Sequence, residues 1–170
     1  MGNSTTLRLN GLVEESIVDG PGLRFVLFTQ GCRHNCTGCH NPDTHDLAGG
    51  YSLSTTDIIA KFTKNPLLAG ITFSGGEPFL QPLPLCAIAE AVHSQQKTVL
   101  TYTGFTFEKL HSMAQTNISI KGLLDATDIL IDGPYTEALR SLELRFRGST
   151  NQRILTREDR QALLSSLPLV

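Results

Sequence analysis

Three cysteines fall within eight residues, in the segment Gly31-Cys32-Arg33-His34-Asn35-Cys36-Thr37-Gly38-Cys39-His40-Asn41. Thiolates are soft ligands that suit either zinc or an iron–sulfur cluster, so the ligand type alone does not choose between them. The number of thiolates says more. On a four-iron cubane, Cys32, Cys36 and Cys39 would leave one iron without a protein ligand, open to a substrate or cofactor. A structural zinc site needs a fourth ligand, which His34, His40 or His45 could supply. The C-x3-C-x2-C spacing favours the cluster, because structural zinc motifs more often pair two C-x2-C-like halves. The plain alternative for each histidine is a solvated loop side chain. Cys86 stands apart, in a helical apolar pattern with Leu85, Ile88, Ala89 and Val92, and reads as a small core residue.

The scaffold for these residues is a strand-then-helix rhythm. Leu23 to Thr29 reads as a buried strand that leads directly into the cysteine segment. Ser54-Thr55-Thr56-Asp57 is a capping box opening a helix that would bury Ile58, Ile59 and Phe62. Gly70 to Phe73 is a second strand, followed by Ser74-Gly75-Gly76-Glu77-Pro78 and a helix through Leu85 and Val92. Lys97 to Tyr102 makes a third strand, Thr103-Gly104 a turn, and Thr106 to Met113 a helix burying Phe107, Leu110 and His111. A fourth strand covers Asp128 to Ile131, a fifth Arg153 to Leu155, and Thr156-Arg157-Glu158-Asp159 caps a terminal helix. Such alternation predicts an α/β fold with a mainly parallel sheet, in a single domain. A complete eightfold barrel takes about 250 residues, so 170 residues suit a partial, open β/α barrel or a small doubly wound sheet. Both gather ligands at the carboxyl ends of the strands. That edge would collect the cysteines, Ser74 to Glu77, Tyr102 to Gly104, and Asp132-Gly133.

Composition narrows the function classes. Fourteen basic against sixteen acidic residues give no polyanion-binding signature, which argues against a nucleic-acid partner. No apolar run approaches the roughly 18 residues needed to cross a bilayer, and Met1 to Asn10 lacks a signal-peptide layout, so the expectation is a cytoplasmic protein with no membrane partner.

The ordered pair of C-x3-C-x2-C and Ser74-Gly75-Gly76-Glu77-Pro78 in a βα chain resembles the radical S-adenosylmethionine superfamily. Asp19-Gly20-Pro21-Gly22-Leu23-Arg24-Phe25 and Cys39-His40-Asn41-Pro42 are similar to activating enzymes of glycyl-radical enzymes. Thr103-Gly104-Phe105, Ile129-Leu130-Ile131-Asp132-Gly133 and Arg147-Gly148-Ser149-Thr150-Asn151-Gln152-Arg153 resemble the branch that activates anaerobic ribonucleoside-triphosphate reductase. The resemblance runs from about Ser16 to Leu155 and places the radical-generating core there, with 156–170 as a tail. It implies one [4Fe-4S] cluster held by Cys32, Cys36 and Cys39, with S-adenosylmethionine on the open iron. Reductive cleavage there gives a 5′-deoxyadenosyl radical, which takes a hydrogen atom from a backbone glycine of the partner.

The implied partners are the large subunit of the reductase and reduced flavodoxin or a similar electron donor. The cofactors carry the difficult chemistry, so no side chain is assigned a catalytic role. Gly38 and His40 would neighbour the adenine. Ser74, Gly75 and Gly76 would let the backbone approach the methionine end, Glu77 would accept from its ammonium group, and Thr103 and Asp132 would complete the cofactor site. The chain departs from the superfamily at Gly38, where many members carry an aromatic residue. It also has Thr101-Tyr102-Thr103-Gly104 where pyruvate formate-lyase activating enzymes have Asp-Thr-Asn-Gly, linked to a monovalent cation site.

Arg140, Arg145, Arg147, Arg153, Arg157 and Arg160 crowd the C-terminal part, offset by Glu143, Glu158 and Asp159. They read as a solvated face, as a docking surface, or, for Arg147 and Arg153, as bidentate contacts to the cofactor carboxylate. Three rival functions remain at this level: activation of a formate-lyase-like enzyme, radical chemistry on a small molecule, and a zinc-bound interaction module.

Overall fold

The computed structural model describes residues 5–166. Its single sheet has seven strands in the order β3-β1-β2-β4-β5-β6-β7. Four of them, β2 (Arg24–Thr29), β4 (Gly70–Gly75), β5 (Thr98–Tyr102) and β6 (Ile129–Asp132), are mutually parallel neighbours. β1 (Thr6–Ser16) and β3 (Tyr51–Ser54) add antiparallel strands at one edge, and β7 (Arg153–Leu155) adds one at the other.

The strand order decides between the two expected architectures. From β2 to β6 each crossover steps to the next position in the same direction, so the sheet has no switch point of the doubly wound kind. Right-handed crossovers that always step one way put their helices on one face. The contacts agree: α1 (Thr55–Thr63), α2 (Pro82–Ser94), α3 (Phe107–Ala114) and α4 (Ile118–Ala126) pack side by side, α1 on α2, α2 on α4 and α3 on α4. This is the winding of a partial, open barrel.

Alternation along the strands divides the sheet into two faces. Phe25, Leu27, Ile71, Phe73, Val99 and Leu130 pack with Ile58, Phe62, Leu85, Ile88, Val92, Phe107, Leu110 and Leu123 of the helices in one core. The opposite face carries Arg24, Val26, Thr72 and Leu100, in register across β2, β4 and β5. The segment between β1 and β2 folds back across it. Thr72 donates to the Asp19 carbonyl at 2.8 Å, and a Cβ on Gly20, whose φ is +137°, would stand 2.9 Å from Leu100 Cδ1. Beside it the fully buried Arg24 donates to Thr72 Oγ1, to the Ile71 and Pro21 carbonyls, and to both Oγ1 and the carbonyl of Thr98. The N-terminal end of the barrel is thereby closed by a guanidinium and a glycine-rich turn.

Helix starts follow their caps. The Ser54, Thr106 and Asn117 side chains accept from Asp57, Lys109 and Ser119 amides, opening α1, α3 and α4. β1, β3 and α4 lie outside the elements expected from the sequence, and His111, expected on the buried face of its helix, is half-exposed. α5 (Arg157–Ser166) closes the described chain, and the rest of the expected 156–170 tail lies outside the described residues. No described helix is long and apolar enough to cross a membrane.

Candidate functional site

At the carboxyl ends of β2, β4, β5 and β6 lies an open cavity of about 530 Å³. Each parallel strand contributes to its wall. The loop after β2 supplies Cys32, His34, Cys36, Cys39, His40 and Asn41, and the end of β4 supplies Ser74, Gly75 and Gly76. Tyr102, Thr103 and Gly104 follow from β5, and Gly133 and Tyr135 from the end of β6. The remaining side is built by Leu144, Phe146, Arg147, Gly148 and Gln152, from the long excursion between β6 and β7.

The cysteine loop is anchored at its stem. Gly31 N donates to Thr44 O and Glu77 N donates to Gly31 O, each at 2.8 Å, while Cys39 N donates to Cys36 O at 3.2 Å. All three cysteines are half-buried free thiols. Burial pushes the Cys32 thiol up, and the nearby Glu77, Cys36 and Cys39 push it further, so ionisation is costly until a cation compensates. Among the described residues no three His, Cys, Asp or Glu side chains converge closely enough for a single metal ion. Three thiolates on one open wall suit a cubane, where each binds a different iron. The donor set and its placement fit a [4Fe-4S] cluster.

The Gly-Gly turn is required by the protein itself. A Cβ on Gly75, whose φ is +89°, would stand 2.6 Å from the Phe28 backbone, and one on Gly76 would collide with the Gly31 carbonyl. These glycines also face the cavity, but the close approach that excludes side chains there is between β4 and the stem of the cysteine loop.

Glu77 and Asp132, expected at the cofactor, stand behind the cavity wall. Glu77 is 1% exposed and accepts from Phe79 N, Gly104 N and Thr103 Oγ1, with His34 Nε2 2.6 Å from its Oε2. It thus ties the cysteine loop to the β4 and β5 turns. Gly104 leaves room for this, since a Cβ there would stand 2.7 Å from His34 Cγ, and Phe105 meets the same imidazole edge-on at 4.5 Å. Thr103 lines the cavity while its hydroxyl is committed to Glu77. Asp132, also 1% exposed, accepts from Phe107 N at the start of α3 and pairs with Arg153, which forks onto Glu108 as well. That network holds the Glu108 carboxyl below its ordinary range, chiefly through the Arg153 hydrogen bonds.

Of the two arginines considered for a cofactor carboxylate, Arg153 is therefore engaged internally. Arg147 lines the cavity, donates to the Gln152 carbonyl at 2.8 Å, and has a buried Nε without a partner. Gly38, with φ +71°, lies under the Glu137 carboxylate, which would be 2.8 Å from a Cβ at that position. Cys86 sits between α2 and α4, where its Sγ would be 3.2 Å from a Cβ on Gly122. Tyr135, like Leu144 and Phe146, is a wall residue that no sequence motif singles out. Its only signal was position, shortly after the fourth parallel strand.

Comparison with known proteins follows the same outline. The family described as "4Fe-4S single cluster domain" matches residues 18–155. The anaerobic ribonucleoside-triphosphate reductase-activating protein of Enterobacteria phage T4 is 32% identical over 149 residues, 84% of this chain and 89% of that protein. The protein of the same name from Vibrio cholerae is 33% identical over 80% of this chain and 89% of its own length. The pyruvate formate-lyase-activating enzyme of Clostridium pasteurianum is 44% identical over 80 residues, 44% of this chain but 34% of that enzyme. With a matching cluster domain across most of its length and relatives aligned nearly end to end, the chain belongs to the radical S-adenosylmethionine family of anaerobic ribonucleoside-triphosphate reductase-activating proteins.

Proposed function

We propose that this protein generates a glycyl radical on an anaerobic ribonucleoside-triphosphate reductase in the cytoplasm, taking its electron from reduced flavodoxin or a similar carrier. The observation that carries the reading is the convergence of the three-cysteine loop and the Gly75-Gly76 turn on one open cavity. When bound, the reduced cluster and S-adenosylmethionine supply the electron transfer and the hydrogen-abstracting carbon radical.

The protein's own residues do the positioning. Cys32, Cys36 and Cys39 would hold three irons, and Glu77, through His34 and Gly104, sets the loop at a fixed height above the sheet. Ser74, Gly75 and Gly76 present backbone to the amino-acid end of the cofactor. Arg147, which lines the cavity, would donate to its carboxylate, a role the sequence shared between Arg147 and Arg153. The open side of the cavity admits a polypeptide loop.

Anaerobic reconstitution with iron and sulfide, followed by electron paramagnetic resonance with the reductase, S-adenosylmethionine and reductant, tests this. A glycyl doublet formed on the reductase supports it. A doublet formed on pyruvate formate-lyase alone would favour the second reading, which the partial match to that enzyme's activator motivates. One zinc and no iron per chain would overturn both.

A further inference from the structure

We propose that the ring of Tyr135 is the stacking surface for the adenine of S-adenosylmethionine. This rests on the function proposed above and assigns one residue within it. An S-adenosyl ligand has a charged amino-acid end and a flat aromatic end, and the second needs a ring face or an apolar wall. Position 38, beside the third cysteine, offers neither: its backbone has φ +71° and the Glu137 carboxylate fills the space a side chain would take.

Apart from Phe146, which also lines the wall, the other aromatic residues there have different engagements. His34 is held by Glu77 and Phe105, and Tyr102 and Phe28 belong to the strands at the floor. Tyr135 lies on the side of the third cysteine, its ring 4.8 Å from that of His40 and tilted by 49°.

The surroundings of Tyr135 are built to hold a ring still. A Cβ on Gly148 would stand 2.9 Å from Tyr135 Cδ2 and 3.4 Å from His40 Cε1, so the glycine backbone forms a flat backing to both. Gly148 and Ser149 amides donate to Gln152 Oε1, and Gln152 Nε2 donates to Gly133 O. Ser149 Oγ accepts from Thr136 N, and Asn151 Nδ2 donates to Pro134 O, clamping the residues on either side of Tyr135. The run Gly148-Ser149-Thr150-Asn151-Gln152 thus acquires a purpose: the side chains of Ser149, Asn151 and Gln152 fix the backbone from Gly133 to Thr136. These are positioning residues, and Tyr135 is the one that touches the cofactor.

The test uses the cluster-loaded protein under anaerobic conditions without reductant, and measures equilibrium binding of S-adenosylhomocysteine, with free methionine as a second probe. Tyr135→Leu is expected to weaken S-adenosylhomocysteine binding by about tenfold or more, as loss of a base-stacking ring does. Tyr135→Phe should bind within about twofold of wild type. Methionine affinity, iron content and the absorption spectrum of the oxidised cluster should be unchanged in both. Wild-type affinity in Tyr135→Leu overturns the assignment, as does an equal loss in Tyr135→Phe, which would mark the hydroxyl instead of the ring. Phe146→Leu weakening binding while Tyr135→Leu does not would move the platform to Phe146. A wild-type protein that binds no S-adenosyl compound overturns the proposed function itself, and this assignment with it.

Discussion

At Gly76 the forbidden methyl group would meet the Gly31 carbonyl, and at Gly75 it would meet the backbone of Phe28 and Thr29. Neither obstacle can swing aside, because Gly76 N to Thr29 O and Glu77 N to Gly31 O lock the two segments together. Gly76→Ala should therefore destabilise the protein by about 2–4 kcal/mol before any cluster is loaded, a backbone collision being costlier than ordinary overpacking. Urea unfolding checks this, and a wild-type midpoint would show that the glycines answer to the ligand alone. The cysteines divide the other way, with function at stake more than stability. Alanine at Cys32, Cys36 or Cys39 should each abolish stable iron loading, while Cys86→Ala should keep it, by iron and sulfide analysis. Burial, with Glu90 and Asp125 adding to it, pushes the Cys86 thiol up to about 11, as suits a packing residue between α2 and α4.

Arg153 joins β7 to β6 through Asp132 and to α3 through Glu108. Replacing it with glutamine leaves a carboxylate stranded behind the wall, and should cost about 2 kcal/mol, less than for a fully buried pair because Arg153 is itself partly exposed. The pH dependence has a definite sign. Glu108 has a depressed pKa in the folded protein, so its contribution is present above the ordinary glutamate value and is lost as pH falls through the lower, folded one. Below about pH 4.5 the wild-type Tm should therefore drop more steeply than that of Arg153→Gln, and parallel curves would remove Glu108 from the account. The parallel strands were legible as apolar runs because both of their faces are covered. β1 was not an apolar run: Thr6-Leu7-Arg8-Leu9 has the alternation of a strand covered on one face, but Asn10-Gly11 reads as a turn where the chain instead makes a register shift against β2. Ile118-Ser119-Ile120 and Gly122 disguise α4, although Gly122 is there to admit Cys86. The cysteines and the Gly-Gly turn announced the site. The directions of Glu77 and Asp132 did not follow from local sequence, since they are set by His34 and Arg153, 43 and 21 residues away.

For the molecule as a whole, winding in one direction leaves a barrel wall closed at its N-terminal end and open at its chemical end. Arg24 holds that closure without a carboxylate among its hydrogen-bond partners, and burial lowers its pKa to about 10. Arg24→Lys retains the charge but cannot reach the same set of acceptors, and should cost about 2–3 kcal/mol in urea unfolding. A loss below about 0.5 kcal/mol would show that the cation serves no packing purpose. The excursion over 133–152 leaves the sheet at Asp132 and rejoins it at Arg153, two residues paired across β6 and β7. Much of its hydrogen bonding is internal, so it is a unit able to open while the sheet stays intact. Arg140 and Arg145 are exposed on it. Brief trypsin treatment should accordingly nick the chain there first, read by mass spectrometry, before any cut within the parallel strands. The two fragments should stay together through the β6–β7 ladder, leaving a folded protein whose cavity has lost the continuity of one wall.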